Sequence, residues 1–161
     1  MNKKIVMALS LFIVAIVAMG TVSAFDLNNL IPGLGSIFGG DVPDQNITLD
    51  GETFHIPGKF KENANISDNG TVQNYNSFKV TEYGRGYAND TKFINILISE
   101  YSGIEPDTNL INYMNGTSKT INGTNGYLSY DGIAYTFTYL KGNKVITVQS
   151  DAQSLIGRAI A

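Results

Sequence analysis

His55, the scattered carboxylates and the tyrosines are the side chains of this chain that could do chemistry. His55 is the single imidazole, and the absence of cysteine excludes thiol nucleophiles, thiolate metal sites and disulfides. Because His55 alternates with Phe54 and Ile56, it should face away from the core if those two residues are buried. A histidine base also needs a partner nucleophile or carboxylate, and the sequence has no G-x-S-x-G motif. The sequence therefore predicts no catalytic residue.

Carboxylates are the other candidates for acid–base chemistry or metal binding. A pair of acids can hydrolyse a glycosidic bond, and Glu82 and Glu100 lie near the ends of two expected neighbouring strands, with Asp131 in a turn. However, fourteen acidic residues on a small domain form some close pairs by accident. The sequence contains no calcium-binding loop, and hairpin turns explain its Asp-Gly and Asn-Gly pairs. We therefore predict no metal and no cofactor, with an envelope hydrolase that uses carboxylates and His55 as an alternative.

The nine tyrosines, with no tryptophan beside them, point to a binding surface. Aromatic rings on a sheet can stack on sugar rings or contact a partner protein. The alternation of Tyr135, Phe137 and Tyr139 favours a face buried beneath helices, with the hydroxyl groups at its rim. Tyr127 and Tyr130, on the neighbouring strand, are the predicted ligand-binding residues.

The elements that must position these residues are mostly strands. Apolar residues alternate with polar ones from Ile47, and the Asp50-Gly51 and Asp131-Gly132 pairs predict hairpin turns. Residues 91–101 form the most apolar strand and should be central in a sheet. Residues 58–76 are polar and rich in Asn, so we expect a loop there with one short strand near Val72.

Two helices complete the expected fold. One begins at Glu105-Pro-Asp-Thr108 and turns Leu110 and Met114 towards the sheet. The other follows Ser150, the predicted N-cap, and carries an apolar stripe that includes Leu155 and Ile156. We expect an α+β domain, an antiparallel sheet of about six strands with two helices packed on one face, preceded by an N-terminal signal or anchor helix.

The N-terminal segment predicts export. Lys3 and Lys4 precede an uncharged apolar run, and Val22 and Ala24 occupy the small-residue positions of a signal-peptidase site, so cleavage is expected between Ala24 and Phe25. A retained membrane anchor is the alternative, because the run approaches the roughly 20 residues that span a bilayer. We divide the chain into a signal peptide or anchor (1–24), a Gly/Pro-rich linker (25–45) and one α+β domain (46–161).

Six N-x-[ST] sequons are present, more than chance placement predicts. The asparagines of these sequons are Asn46, Asn65, Asn69, Asn89, Asn115 and Asn122. Glycosylation at these positions is a hypothesis, because an Asn-, Gly- and Thr-rich chain also produces sequons as a by-product of its turns.

Three segments carry a resemblance to known proteins. They are Ile47-Thr-Leu-Asp-Gly51 with Phe54-His-Ile-Pro57, Thr120-Ile-Asn-Gly-Thr-Asn-Gly-Tyr127, and Asp151-Ala-Gln-Ser-Leu-Ile-Gly-Arg-Ala-Ile160. In these segments the chain resembles small uncharacterised exported proteins of methanogenic archaea. It is more remotely similar to sheet-plus-helix ectodomains of bacterial envelope and anti-sigma-factor-like proteins. The resemblance covers residues 46–161 and implies the α+β fold and an extracytoplasmic location, but it brings no catalytic residue.

These observations predict a non-catalytic domain of the cell envelope, secreted or N-terminally anchored, that binds an envelope protein or a glycan. A sequence pI near 5.0 argues against nucleic acid as a partner, because neutralising phosphates requires clustered Lys and Arg. We expect membrane contact only through the N-terminal segment. Besides the hydrolase, a structural glycosylated surface protein is a second alternative.

Overall fold

The computed structural model describes residues 42–112 and 116–160, and within them the chain is mostly β. The predicted signal peptide or anchor with its Ala24–Phe25 cleavage site, residues 25–41 of the linker, Met114 and Asn115 lie outside the described residues. Ten strands are described: β1 (Gln45–Leu49), β2 (Glu52–Ile56), β3 (Lys61–Glu62), β4 (Asp68–Asn74), β5 (Lys79–Ala88), β6 (Phe93–Ser102), β7 (Thr117–Ile121), β8 (Thr124–Tyr130), β9 (Tyr135–Lys141) and β10 (Lys144–Ser150).

The strands form two antiparallel sheets. β1 and β2 make a small two-stranded sheet around the predicted Asp50-Gly51 turn, whose two residues both have positive φ. The other eight strands form one sheet in the order β3-β5-β6-β10-β9-β8-β7, and β4 pairs with β5 beside β3. β6 and β10 are central, which explains why residues 91–101 are the most apolar stretch of the domain.

One surface of the large sheet, which we call the hairpin face, carries the main core. The β1–β2 hairpin and helix α2 (Gln153–Ala159) pack against this face. The buried side chains of the cluster include Phe54 and Ile56 from the hairpin, Ile96, Ile98, Phe137, Ile146 and Val148 from the sheet, and Leu155 and Ile156 from α2. The hairpin and α2 therefore bury one apolar side each against the same apolar face, which provides most of the driving force for folding.

The opposite surface, the polar face, carries Asn95, Ser99, Thr138, Thr147 and Gln149, all of them buried. Helix α1 (Thr108–Asn112) packs near one end of this face and contributes Leu110 to a smaller apolar cluster. The 3-10 turn Ala64–Ile66 lies against β5, where Gly86 leaves space for the side chain of Ile66. Both faces of the sheet are thus covered at least in part by other segments of the chain.

The α+β prediction is wrong. The structure has ten strands in two sheets instead of about six in one, and α2 is the one described helix of seven or more residues. The short helix α1 packs on the polar face and not beside α2, so the two helices do not share a face. The short strand expected near Val72 is β4, which is seven residues long, whereas β3 was not predicted; both lie at an edge of the large sheet. An edge strand can be held by backbone hydrogen bonds without the apolar alternation that reveals a buried strand.

The helix starts also differ from the prediction. Ser150 belongs to β10, where its hydroxyl donates a hydrogen bond to the Phe93 carbonyl at 2.6 Å, and the N-cap of α2 is Ala152. At α1, the Asp107 carboxylate accepts the backbone N–H of Leu110 at 3.1 Å, as an N-cap side chain does. Within the described residues, no helix combines the length and apolar character needed to cross a membrane.

Candidate ligand-binding surface

The structure does not bring the two predicted ligand-binding tyrosines together. Tyr127 pairs with Thr138 on the polar face, whereas Tyr130 pairs with Tyr135 at the end of β8. Residues three positions apart in a strand lie on opposite faces, so the two rings cannot form one surface. Only Tyr130 is strongly exposed, at 56% of its surface.

Tyr130 is held at the tip of the β8–β9 hairpin by two contacts. Its ring packs on that of Tyr135 with centroids 4.5 Å apart and planes tilted by 30°. Its hydroxyl donates a hydrogen bond to the Gly132 carbonyl at 2.9 Å. Tyr135 in turn packs against the main core, so the exposed ring of Tyr130 is supported from inside the domain.

The turn that follows Tyr130 is fixed by Asp131. One carboxylate oxygen of Asp131 accepts the backbone N–H groups of Ile133 and Ala134, each at 2.8 Å. Gly132 has φ +97°, a conformation that favours glycine. Asp131, a possible acid by sequence, is therefore occupied in shaping the turn. The same turn exposes Ile133, at 56% of its surface.

We call Tyr130, Ile133 and Tyr135 the tyrosine turn. Among the described residues, three large hydrophobic side chains are exposed, and Tyr130 and Ile133 are two of them. Sequence reasoning missed Ile133 and the supporting role of Tyr135. For Tyr135 the available signal was its placement opposite Tyr130 across the Asp131-Gly132 turn, since residues that flank a hairpin turn become cross-strand neighbours. The arrangement offers an apolar, preorganised contact surface.

His55 faces outward between the buried residues Phe54 and Ile56, as predicted. Its Nε2 lies 3.2 Å from the Asp44 carboxylate, and its Nδ1 lies 3.0 Å from Oδ1 of Asn46. The backbone N–H of Gly58 donates to the same Asp44 carboxylate at 2.5 Å, and this bond is the main reason why the pKa of Asp44 is below its ordinary value. The histidine thus joins the start of the domain to β2.

Glu82 and Glu100 lie on opposite faces of the large sheet. Glu82 pairs with Ser99, and Glu100 pairs with Thr81, the residue before Glu82. Because consecutive residues of a strand point to opposite faces, the two carboxylates cannot act on one substrate atom. His55 contacts Asp44 and Asn46 and forms no group with either glutamate.

Glu82 has a polar environment of its own. Gln73 donates a hydrogen bond to its carboxylate at 2.9 Å, and the Tyr75 hydroxyl donates to the Gln73 carbonyl oxygen at 2.8 Å. Burial raises the pKa of Glu82 above its ordinary value. In the part of the chain that the structure describes, no group of three or more His, Asp or Glu side chains is arranged to hold a metal ion.

Of the sequon asparagines, Asn46, Asn65, Asn69 and Asn122 are exposed and Asn89 is partly exposed.

Comparison with known proteins finds no matching family model, no similar curated protein and no similar solved structure.

Proposed function

We propose that this protein is a non-catalytic, extracytoplasmic domain of the cell envelope that binds an envelope component through the tyrosine turn. Two observations of different kinds support the proposal. The N-terminal segment has the charge and hydropathy pattern of an export signal. The β8–β9 turn exposes Tyr130 and Ile133 on a backbone that Asp131 holds in one conformation.

The exposure of Tyr130 and Ile133 in one turn is the observation that carries the proposal. Isolated exposed apolar residues are common, but two of them in one turn whose backbone is held by a side chain are typical of a contact surface. A ring that is already fixed by Tyr135 loses little conformational entropy when a ligand covers it. Such a ring can stack on the face of a sugar or receive an apolar side chain of a partner protein.

The test is saturable binding of the full chain to isolated envelope fragments, measured by sedimentation. The double variant Tyr130→Ala/Ile133→Ser should lose about tenfold or more in affinity, because truncated anchor residues account for most of the binding energy of an interface. Val72→Ser is the matched control, since Val72 is the third exposed large hydrophobic residue and lies on β4. Equal binding by the double variant and the control would contradict the proposal.

A structural, glycosylated surface protein is the second candidate, favoured by the exposure of the sequon asparagines Asn46, Asn65 and Asn69. This candidate predicts that the chain is abundant in envelope fractions but shows no saturable binding. The sedimentation experiment therefore separates the two functions.

A further inference from the structure

The direction of each sequon side chain decides whether the folded domain can carry a glycan there. In N-glycosylation, a lipid-linked glycosyl phosphate gives up its sugar: the bond from C1 to the phosphate oxygen breaks, and a bond from C1 to Nδ2 of asparagine forms. Nδ2 loses one proton, which leaves with the phosphate. A sequon of the folded domain suits this modification when Nδ2 faces solvent and makes no hydrogen bond within the domain.

Asn69 meets this condition. Its Oδ1 accepts a hydrogen bond from the Arg85 guanidinium at 2.6 Å. A guanidinium has donors only, so the oxygen must face Arg85 and Nδ2 must point away from it. Arg85 is itself fixed by hydrogen bonds to the carbonyls of Asp68 and Gly84, at 3.0 and 2.7 Å, and by Glu62 at 3.3 Å. Asn69 is exposed on β4, at an edge of the sheet.

Asn89 meets it in a different way. Its Oδ1 accepts the backbone N–H groups of Thr91 at 3.0 Å and Lys92 at 2.8 Å, in the turn between β5 and β6. Backbone N–H groups are also donors only, so the assignment of oxygen and nitrogen is again forced. Nδ2 of Asn89 points away from the turn that the oxygen organises.

Asn122 has the reverse orientation. Its Nδ2 donates a hydrogen bond to the Gly157 carbonyl of α2, and a carbonyl can only accept. This bond ties the β7–β8 turn to the helix next to Ile121, whose side chain would lie 3.6 Å from a Cβ placed at Gly157. A sugar on Nδ2 would occupy the atom that makes this connection.

We infer that Asn69 and Asn89 are glycan acceptor sites of the folded domain and that Asn122 is a structural connection that stays unmodified. The contrast is sharp because Asn69-Gly-Thr71 and Asn122-Gly-Thr124 are the same tripeptide sequon. Local sequence therefore cannot distinguish them, whereas the partner of each amide does. The inference depends on the export that the proposed function assumes, but not on binding by the tyrosine turn.

Glycopeptide mapping of the full chain, secreted from a host that modifies N-x-[ST] sites, tests the inference by mass spectrometry. Peptides with Asn69 and Asn89 should be modified, and the Asn122 peptide should show several-fold lower occupancy. Chains modified at Asn122 before folding would lose the connection to α2 and be depleted from the folded, secreted fraction. Equal occupancy at Asn69 and Asn122, or no glycan at Asn69 and Asn89, would overturn the inference. Neither result would alter the Tyr130 binding experiment.

A second measurement, on unglycosylated protein, isolates the connection itself. Asn122→Asp keeps a residue type that tolerates the φ of +49° at this position. It replaces the Nδ2 donor by a carboxylate oxygen, which would face the Gly157 carbonyl in the last turn of α2 and be repelled by it. We expect a melting temperature lower by about 4 °C, the effect of losing one hydrogen bond. Thr124→Val removes the same sequon and leaves the Asn122 amide intact, so it should melt like the parent. Equal melting temperatures for both variants would show that the Asn122 amide stabilises nothing.

Discussion

The Lys144 ammonium lies 3.0 Å from the Asp50 carboxylate, and this ion pair joins β10 to the turn of the separate β1–β2 sheet. The same ammonium lies 3.8 Å from Glu52 and donates a hydrogen bond to the Asp50 carbonyl. The side chains of Lys144, Asp50 and Glu52 are only 15%, 18% and 14% exposed. The apolar core holds the small sheet on the large one, and this cluster anchors the end where the turn lies.

Lys144→Met should lower the free energy of unfolding by about 2 kcal/mol, because it leaves two largely buried carboxylates without their shared cation. Urea unfolding at neutral pH measures the change. Lys141→Met is the matched control: Lys141 pairs with the same Glu52 at 2.5 Å but is 64% exposed. Its loss should change stability by about 0.5 kcal/mol or less. Equal effects of the two substitutions would show that burial does not control the strength of these pairs.

The hairpins of this fold are predictable because their turns carry local signals. Asp50-Gly51 and Asp131-Gly132 form the predicted turns, and the alternation around Phe54 and Ile56 correctly places His55 on the outside. These features depend on φ preferences and on the two-residue period of a strand, which a few neighbouring residues determine.

The overall topology and the candidate surface depend on pairing between distant residues. Nothing local shows that β4 pairs with β5, since its residues Asp68–Asn74 are mostly polar. The register of β8 against β9 decides that Tyr130 meets Tyr135 while Tyr127 meets Thr138. A shift of this register by one residue would move each side chain of β8 to the opposite face of the sheet. The sequence can therefore suggest tyrosines as ligand-binding residues, but not which of them share a surface.

Glu82→Gln should make the stability of the domain less dependent on pH. Burial raises the pKa of Glu82 in the folded state above the ordinary value of 4.5. The favourable contribution of the neutral carboxyl is therefore complete below the unfolded-state pKa and is lost as the pH rises through the folded-state pKa. The glutamine variant stays neutral and can still accept the hydrogen bond from Gln73.

We therefore expect Glu82→Gln to be more stable than the parent at pH 7, with the difference disappearing near pH 4. Urea unfolding of both proteins at the two pH values gives the comparison. A difference of the same size at both pH values would mean that ionisation of Glu82 does not cause it.

Removal of the buried hydroxyl of Ser99 and removal of that of Thr147, both on the polar face, should change the free energy of unfolding in opposite directions. Among the described residues, Oγ of Ser99 is buried without a hydrogen-bond partner, whereas the hydroxyls of Thr138 and Thr147 bond to each other at 3.1 Å. Ser99→Ala removes an unsatisfied group, so the free energy of unfolding should stay equal or rise by up to about 1 kcal/mol. Thr147→Val keeps the shape but leaves Thr138 unpaired, and should lower it by about 1–2 kcal/mol.

Chemical unfolding of the two variants, with the double variant as a check of additivity, measures these effects. A loss of stability in Ser99→Ala comparable to that of Thr147→Val would show that the Ser99 hydroxyl has a partner in solution. A buried water molecule bonded to Oγ is the physical form that such a partner would take.

The same substitution, glycine to alanine, should destabilise the domain at Gly126 and stabilise it at Gly157. A Cβ at Gly126 would lie 2.5 Å from the Thr138 carbonyl oxygen and 2.7 Å from the ring of Phe137, so β8 would have to move away from β9. We expect the free energy of unfolding to fall by about 3 kcal/mol.

At Gly157, within α2, the new Cβ would lie at an ordinary 3.6 Å from the side chain of Ile121. Alanine there should add about 0.5–1 kcal/mol, because glycine loses more backbone entropy in a helix. Thermal melting of both variants tests the pair, and destabilisation by Gly157→Ala would mean that α2 packs more tightly on β7 than this contact indicates.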